Sequence, residues 1–538
     1  MSEHSFSQVP QSRISRSSFN LSHGYKTTFD SGYLVPFFCA EILPGDTFNV
    51  GTSIFARLAT PIVPIMDNIY LDTFFFFVPN RLVWDNFEKQ MGAQENPGDS
   101  IDYLTPQVTA PADGVTVESI YDYFGIPVNV LSGEDFNALP LRAYNLIYNE
   151  WFRDENLQDS LEVPKGDGPD DSTLYTLKRR GKRHDYFTSA LPWPQKGPGI
   201  DLPLGTVVGN GQTLGFTDGT NNFGIGHSAN VGVNLGTGWF DVPVGSSDRG
   251  DSFSGSYSLG LTTDPEKTGL TVSAGTINDF RQALMLQQLL EKDARGGTRY
   301  TEILRSHFAT VSPDFRLQRP EYLGGSSGLV NIHQVAQTSS TDGASPQGNL
   351  AAYGVFSESR HGFTKSFVEH GFVIGLVNVR ADLTYQQGLD RFWSKRTRYD
   401  YYWPSLAHLG EQEVLLKELY YPATAQYVLD EDGNQVANVP TGDTVFGYQE
   451  RSAEYRYMPS KVTGKLVSGT GNSLDVWHLS QYFENAPQLN SEFIEDNPPI
   501  DRAIAVPDEP QFILDCWFNI NAVRPMPVHG VPGFQAHF

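Results

Sequence analysis

Residues 69–78 read IYLDTFFFFV, and the four consecutive phenylalanines Phe74, Phe75, Phe76 and Phe77 decide how this chain must fold. In a strand, neighbouring side chains point to opposite faces. Phe74 and Phe76 therefore share one face and Phe75 and Phe77 the other, and both faces are too apolar to meet water. Such a strand demands cover on two sides, which a sandwich or a subunit interface would provide.

Upstream, residues 46–58 alternate, with Phe48, Val50, Ile54, Ala56 and Leu58 on one face and, Phe55 apart, polar Asn49, Ser53 and Arg57 on the other. That is the pattern of a half-buried strand. Pro44-Gly45-Asp46 supplies its entry turn, and Pro61 and Pro64 break the pattern before the next apolar run. Near the far end, Phe512, Leu514, Cys516, Phe518, Ile520 and Ala522 share one face of a second such strand, which makes Cys516 a core residue. Residues 367–379 are nearly all apolar and read as a central strand, whereas residues 445–457 are Tyr-rich, charged and more exposed. These strands lie far apart in the sequence, so loops carry much of the mass, and long ordered loops are where function concentrates. One amphipathic helix is predicted, with Ile277, Phe280 and Leu284 on one face, Thr276, Asn278 and Asp279 at its start and Gly296-Gly297 at its end. Shorter helices are expected near residues 82–91 and 139–153.

The chain carries 38 Lys and Arg against 62 Asp and Glu, a formal charge of -24. A surface built wholly to hold nucleic acid is excluded, and any DNA contact must be a local patch. With 51 Gly, 34 Pro and 13% aromatic residues, the composition supplies the turns and large packing groups of a loop-rich sandwich. Cys39 and Cys516 are the only cysteines, so there is no disulfide framework and no CxxC pair, and the composition suits a reducing cytoplasm. Residues 1–25 are Ser-rich without an apolar run, which argues against a secretory signal. The most apolar stretch, residues 74–78, falls far short of the about 20 residues that cross a bilayer, so no membrane insertion is expected.

Residues 197–275 shift to Gly, Ser, Thr and Asn with little periodicity and read as an insertion. Phe216, Phe223, Trp239 and Phe240 make it too aromatic for a Gly/Ser spacer, and an ordered surface protrusion is favoured over a flexible linker.

Catalytic and metal signatures are sparse. The run from Gly324 to Gly328 matches GxSxG, but residues 329–337 alternate like a strand, so no helix backs Ser326 and a Gly-rich loop is the expected structure. The spacing of His361 and His370 fits no zinc pattern, and the acidic stretches 167–171 and 430–432 lack EF-hand spacing. No cofactor, metal or catalytic residue is assigned. Paired carboxylates for glycoside hydrolysis need only lie close in space, which keeps a carbohydrate-active β-sandwich enzyme as a competing reading. A phage adhesin is another, but the repeats expected of it are missing.

Two basic clusters point to phosphate. Lys178, Arg179, Arg180, Lys182 and Arg183 put five cations into six residues, a field able to hold a nucleic-acid backbone. The alternative is a solvated loop or an anchor for acidic neighbours. Arg391, Lys395, Arg396 and Arg398 are interleaved with Phe392, Trp393, Tyr399, Tyr401, Tyr402 and Trp403, the mixture of cations and ring faces on which single-stranded DNA stacks. Here the alternative is subunit packing with cation-π pairs.

Several runs resemble the major capsid proteins of the Microviridae, and more narrowly the gokushovirus branch. They are LPGDTFNV at 43–50, RLATPI at 57–62, MDNIYLDTFFFFVPNRLVWDNF at 66–87, RYTEILRSHF at 299–308, RLQRPEYLGG at 316–325, FGYQERSAEYRY at 446–457, SLDVWHLSQ at 473–481 and RPMPVHGVPG at 524–533. The resemblance spans the chain except residues 197–275, which coincide with the branch's variable insertion at the threefold axes. It implies an all-β, eight-stranded viral jelly roll with very long inter-strand loops and a few helices, residues 1–538 forming one capsid domain. It implies a non-enzymatic subunit of a T=1 icosahedral virion shell, assembled in the host bacterial cytoplasm around circular single-stranded DNA. The implied partners are further copies of the chain, an internal scaffolding protein, a pilot protein, a small basic DNA-binding protein and a host surface receptor. A separate basic polypeptide would also account for an acidic shell protein, because it could neutralise much of the packaged phosphate.

Overall fold

The computed structural model describes residues 15–128, 133–200, 276–341, 346–421 and 441–529, together with the backbone of short strands at 207–209, 216–217, 222–223, 260–261, 270–272, 428–429 and 435–436. The chain divides into two compact units, residues 1–194 with 293–538, and residues 195–292.

Ten strands of the first unit form two antiparallel sheets: β1 (Ser17–Asn20), β2 (His23–Phe29), β3 (Val35–Ile42), β4 (Thr47–Leu58), β5 (Ile69–Pro79), β6 (Glu321–Leu329), β7 (Asn331–Ala336), β8 (Leu350–Ser366), β9 (Gly371–Ala381) and β10 (Phe512–Arg524). One sheet runs β1-β10-β4-β8-β7, with β2 also paired to β10, and the other runs β6-β5-β9-β3. The long β4 and β10 pair from Leu58 with Phe512 to Thr47 with Val523, so strands from the two ends of the sequence lie side by side. The chain changes sheet at six of the connections between these strands, among them the Pro44-Gly45 turn, Val330 and the step between Ser366 and Gly371. The fold is an all-β sandwich.

The alternation read from the sequence is the burial observed. Phe48, Val50, Ile54, Ala56 and Leu58 of β4 are buried, as are Phe512, Leu514, Cys516, Phe518, Ile520 and Ala522 of β10. Between the sheets, Phe75 meets Phe37, Phe38 and Phe363 with ring centroids 5.6, 6.0 and 5.4 Å apart. The other face of the β5 sheet is covered by the chain itself. There Phe76 and Val78 join Trp84, Ile120, Leu139, Tyr144 and Ile147 in a second core, built on helix α1 (Leu139–Ile147) and the segment that precedes it. Strand β9 shows the same division. Val373, Val377 and Val379 belong to the inter-sheet core, Phe372, Ile374 and Leu376 to the second, and no residue of the strand is exposed. A third core, around Phe187, Tyr385, Leu419, Phe446 and Phe493, sits within the long loops.

The second core also holds charge. Arg142 is fully buried and pairs with Asp170, its Nε and Nη2 donating at 2.7 and 2.6 Å. Its Nη1 donates to the carbonyls of Val83 and Gly166. With four of its five N–H groups used, Arg142 ties α1 to the turn ending at Val83 and to the loop from Gly166 to Asp170, at the desolvation cost such buried pairs carry.

One expectation is corrected. The run Gly324 to Gly328 is not a loop but the middle of β6, paired with β5 through a bulge between Tyr322 and Gly324. The glycines serve close packing: a Cβ on Gly325 would lie 2.0 Å from the Thr73 carbonyl, and one on Gly328 would lie 2.5 Å from the Phe356 ring. The predicted helices form at Ile277–Gly296, at Leu139–Ile147 continuing through a wide turn to Phe152, and as two short turns, Asn80–Val83 and Phe87–Gln90.

Residues 197–275 lie largely outside the described residues, Trp239 and Phe240 among them. Phe216 and Phe223 fall in two short paired strands within the second unit.

Phe75 is 0% exposed, so Phe75→Ala should cost about 3–5 kcal/mol in equilibrium urea unfolding of the subunit. Phe55 is 38% exposed on the outer face of β4, and Phe55→Ala should cost under about 1 kcal/mol. Equal losses would contradict the assignment of faces.

Candidate nucleic-acid interface

The first basic cluster is an extended segment clamped on both sides. Leu34 N–H donates to the Lys178 carbonyl at 2.9 Å, Arg180 N–H to Gly32 at 2.8 Å, Lys182 N–H to Ile494 at 2.7 Å and Asp496 N–H to Arg180 at 2.8 Å. Gly32 has a φ of +82°, and a Cβ there would meet the Asp496 carbonyl at 2.1 Å, so only glycine lets the segment close against its neighbour.

Most of its cations are already engaged. Arg179 stacks on Tyr33 at 4.1 Å and donates to Asn497 Oδ1 at 2.8 Å. Arg180 pairs with Asp72, which Arg380 also contacts at 2.7 Å. Burial alone would raise the Asp72 carboxyl, but hydrogen bonds from Ser327, Arg380 and Arg180 outweigh it and hold the group below its ordinary value. Lys182 is buried, donates to Gln481 Oε1 at 3.1 Å and lies 4.4 Å from the Phe493 ring. Lys178 is half-buried and its amide donates to the Tyr144 hydroxyl. Arg183 is exposed, and no carboxylate among the described residues pairs with it.

The second cluster divides in the same way. Arg391 donates to Glu418 Oε1 at 2.8 Å and to the Glu413 carbonyl at 2.7 Å; burial raises the Glu418 carboxyl against the attraction of Arg391. Lys395 lies 3.5 Å from Glu454 and 3.9 Å from the Tyr455 ring. Arg396 and Arg398 are exposed, with Arg398 4.8 Å from the Tyr399 ring. Around them Phe392, Trp393, Tyr399, Tyr401, Tyr402 and Trp403 are all exposed, Trp393 at 68%. The Trp403 indole donates to the Arg398 carbonyl at 2.8 Å, which fixes one ring. Tyr455 and Lys461 join this surface, Lys461 lying 5.4 Å from the Phe392 ring. Neither was marked by the sequence reading, because both come from a loop distant along the chain.

Ser326 is no nucleophile. Its hydroxyl donates to Glu358 Oε2 at 2.9 Å and lies 2.9 Å from the Thr73 hydroxyl. His361 lies 3.9 Å from the same carboxylate, but both its ring nitrogens are buried without a hydrogen-bond partner. Burial holds its pKa below the ordinary value, and no hydrogen bond links the imidazole to the serine. Among the described residues, no group of His, Cys, Asp and Glu could hold a metal ion, and no helix is long and apolar enough to cross a membrane.

Beneath the first cluster lies a titrating pair. Burial pushes the Asp496 carboxyl up to about 7 against the pull of Lys182 and three arginines. It pushes the Lys182 ammonium down to about 8 against the pull of Asp496 and Asp185. An unfolded carboxyl titrates near 3.8, so between about pH 4 and 7 the folded state holds a proton the unfolded state has lost, and stability falls as pH rises. Between about pH 8 and 10.5 the unfolded lysine holds the extra proton, and stability rises with pH. Asp496→Asn should therefore gain in melting temperature relative to the parent chain as pH rises from about 4 to 7. A gap that stays constant across that window would contradict the buried carboxyl.

The sequence profile of a family described as capsid protein (F protein) matches residues 7–534. The capsid protein VP1 of Bdellovibrio phage phiMH2K is 49% identical, the match covering 100% of this chain and 98% of that protein. The capsid protein VP1 of Chlamydia phage 1 is 47% identical over 98% of this chain and 97% of its own length. The capsid protein VP1 of Spiroplasma virus 4 is 34% identical over 99% and 98%.

Proposed function

We propose, from the premise that the chain belongs to the phage capsid protein (F protein) family, that it is the major shell subunit of a small single-stranded DNA phage, and that its copies close into an icosahedral particle around the genome. The observation that carries this reading is likeness from end to end. The relatives share the whole length, loops included, and each bears the name of a capsid protein. The Microviridae resemblance carried by the motifs is borne out by the same matches. The chain is a structural protein of the virion shell and not an enzyme, so the carbohydrate-active and adhesin readings fall away.

Within the sandwich we read an eight-stranded jelly roll: β3 to β10, four strands to each sheet, with β1 and β2 extending the β10 edge. The sheet order and the repeated passage of the chain between sheets support this. The whole of residues 1–538 then serves one subunit, with one copy per asymmetric unit of a T=1 shell. Closed symmetry removes free edges, and exposed rings find cover at the contacts between copies. Arg183, Arg396, Arg398 and the rings beside the latter two are the surface that supports contact with the packaged strand. An internal scaffolding protein, a pilot protein and a small basic DNA-binding protein complete the assembly in the host cytoplasm.

Residues 197–275 are read as the outward protrusion. Copies meeting at a threefold axis would offer three identical weak sites to a host receptor, whose contacts add through avidity. The experiment compares the full chain, co-expressed with its phage partners, with a version in which these residues become a short Gly/Ser linker. Both should sediment as closed particles, and only the full chain should adsorb to the host. Monomers from the full chain would overturn the shell, and normal adsorption by the shortened chain would overturn the attachment role.

A further inference from the structure

Below Arg183 a cavity of about 560 Å³ opens between the outer face of the β5 sheet and the basic segment. Its wall is aromatic. Phe76 lies 5.4 Å from Trp151 and 5.5 Å from Tyr322, Trp151 lies 5.8 Å from Tyr322, and Phe74 meets Phe152 edge-on at 5.2 Å. These rings do not seal against one another, since Tyr322 remains 42% exposed. The Trp151 indole N–H is spent on the Pro320 carbonyl at 3.0 Å and the Arg319 guanidinium lies over its ring at 4.3 Å, which fixes the ring in the wall and leaves Tyr322 as the more open face.

Five cations, Arg153, Arg180, Lys182, Arg183 and Arg299, stand in the rest of the lining. Arg180 and Lys182 form part of it with their charges balanced by Asp72 and Asp496, as described above. Arg153 and Arg299 share Glu155, and Arg153 Nε is buried without an acceptor. Arg183 and His184 are exposed beside them and pair with no carboxylate among the described residues. The one acidic residue in the lining, Asp154, turns its Oδ1 to the backbone amides of Asn156 and Leu157.

Rings able to take a flat apolar face, next to an unpaired arginine able to take a phosphate and a histidine able to donate to it, match one unit of a single strand. A base stacks on aromatic side chains only when it has left its neighbours, and arginine is the residue that best holds phosphate oxygens. The volume falls in the range of small-molecule pockets. It suits one unstacked nucleotide and not a duplex. We propose that this cavity is a single-nucleotide subsite, taking one base of single-stranded DNA against Tyr322 and Trp151 and the adjoining phosphate on Arg183 and His184. The proposal rests on the reading that the subunit contacts the packaged strand, and it adds where and how one nucleotide is held. It gives a role to Arg183, a cation the fold does not consume.

The test is fluorescence anisotropy of a labelled eight-residue oligodeoxythymidylate with the purified full-length subunit at low salt, for the parent chain, Tyr322→Ala, Arg183→Ala and the double variant Arg396→Ala with Arg398→Ala. Circular dichroism establishes that each is folded. Tyr322→Ala should weaken binding by about tenfold, and Arg183→Ala should weaken it while lowering the salt slope by about one. Unlabelled thymidine monophosphate should displace the probe at lower concentration than inorganic phosphate. If both single variants bind as the parent does and only the double variant weakens, the cavity is overturned and DNA contact stays with the second cluster. If phosphate and thymidine monophosphate compete equally, the cavity is an anion site and the base subsite is overturned. No binding by the parent chain would overturn the subsite and the DNA-contact reading together. Binding of an acidic, Phe-containing peptide to the cavity in place of the oligonucleotide would assign it to a protein partner and overturn the proposal.

Discussion

A strand that carries phenylalanine on both faces cannot leave either one in water, and the rest of the subunit is arranged around meeting that requirement. Phe75 and Phe77 turn into the inter-sheet core. Phe76 turns the other way, into the core built by α1 and its flanking loops, with Phe74 packed against it. The sandwich alone would cover only half of β5. The other half forces chain out of the sheets, across their outer face and back, which is why long loops here carry cores of their own. Gly375 of β9 shows how tightly the inner face closes: a Cβ there would stand 2.8 Å from Phe38, 2.9 Å from the Phe75 ring and 3.0 Å from the Phe37 ring. The outer layer is locked by polar means, through the buried Arg142 and Asp170 pair and the Tyr175 hydroxyl that donates to the same carboxylate.

The parts of this arrangement that were legible in the sequence are those governed by a two-residue period. The buried faces of β4 and β10 and the double-sided burial of β5 follow from which residues alternate with which, and the sheet pairing respects that alternation. The glycine-rich segment of β6 was misread because glycine is ambiguous. It marks loops, but it also marks places where backbone or rings approach too closely for a side chain, and only the neighbours Thr73 and Phe356 decide between the two. The second core was invisible for a different reason. Its members come from segments far apart in sequence that share no period.

The basic clusters show the limit most clearly. Sequence counts cations, but it does not reveal the acids that meet them. Asp72, Asp496, Glu418 and Glu454 each lie tens of residues from the charge they balance, and they convert most of two conspicuous basic runs into internal ties. What survives is smaller than the runs suggested: Arg183 near an aromatic cavity, and Arg396 and Arg398 among exposed rings. On the proposed reading, a chain of net charge -24 with three uncommitted arginines in these two runs would hold a strand through stacking and a handful of phosphate contacts, not through a broad field. Shell subunits that must release a genome gain from contacts that are individually weak and numerous only through symmetry.

A cryo-electron microscopy reconstruction of the native assembly tests this account most directly. It predicts a closed icosahedral shell whose subunits pack the outer face of β5 under their own loops, with Arg183, Trp393 and Arg396 on the inner wall beside density for nucleic acid. Open sheets or filaments in place of a closed shell, or both basic surfaces on the outer wall, would contradict it.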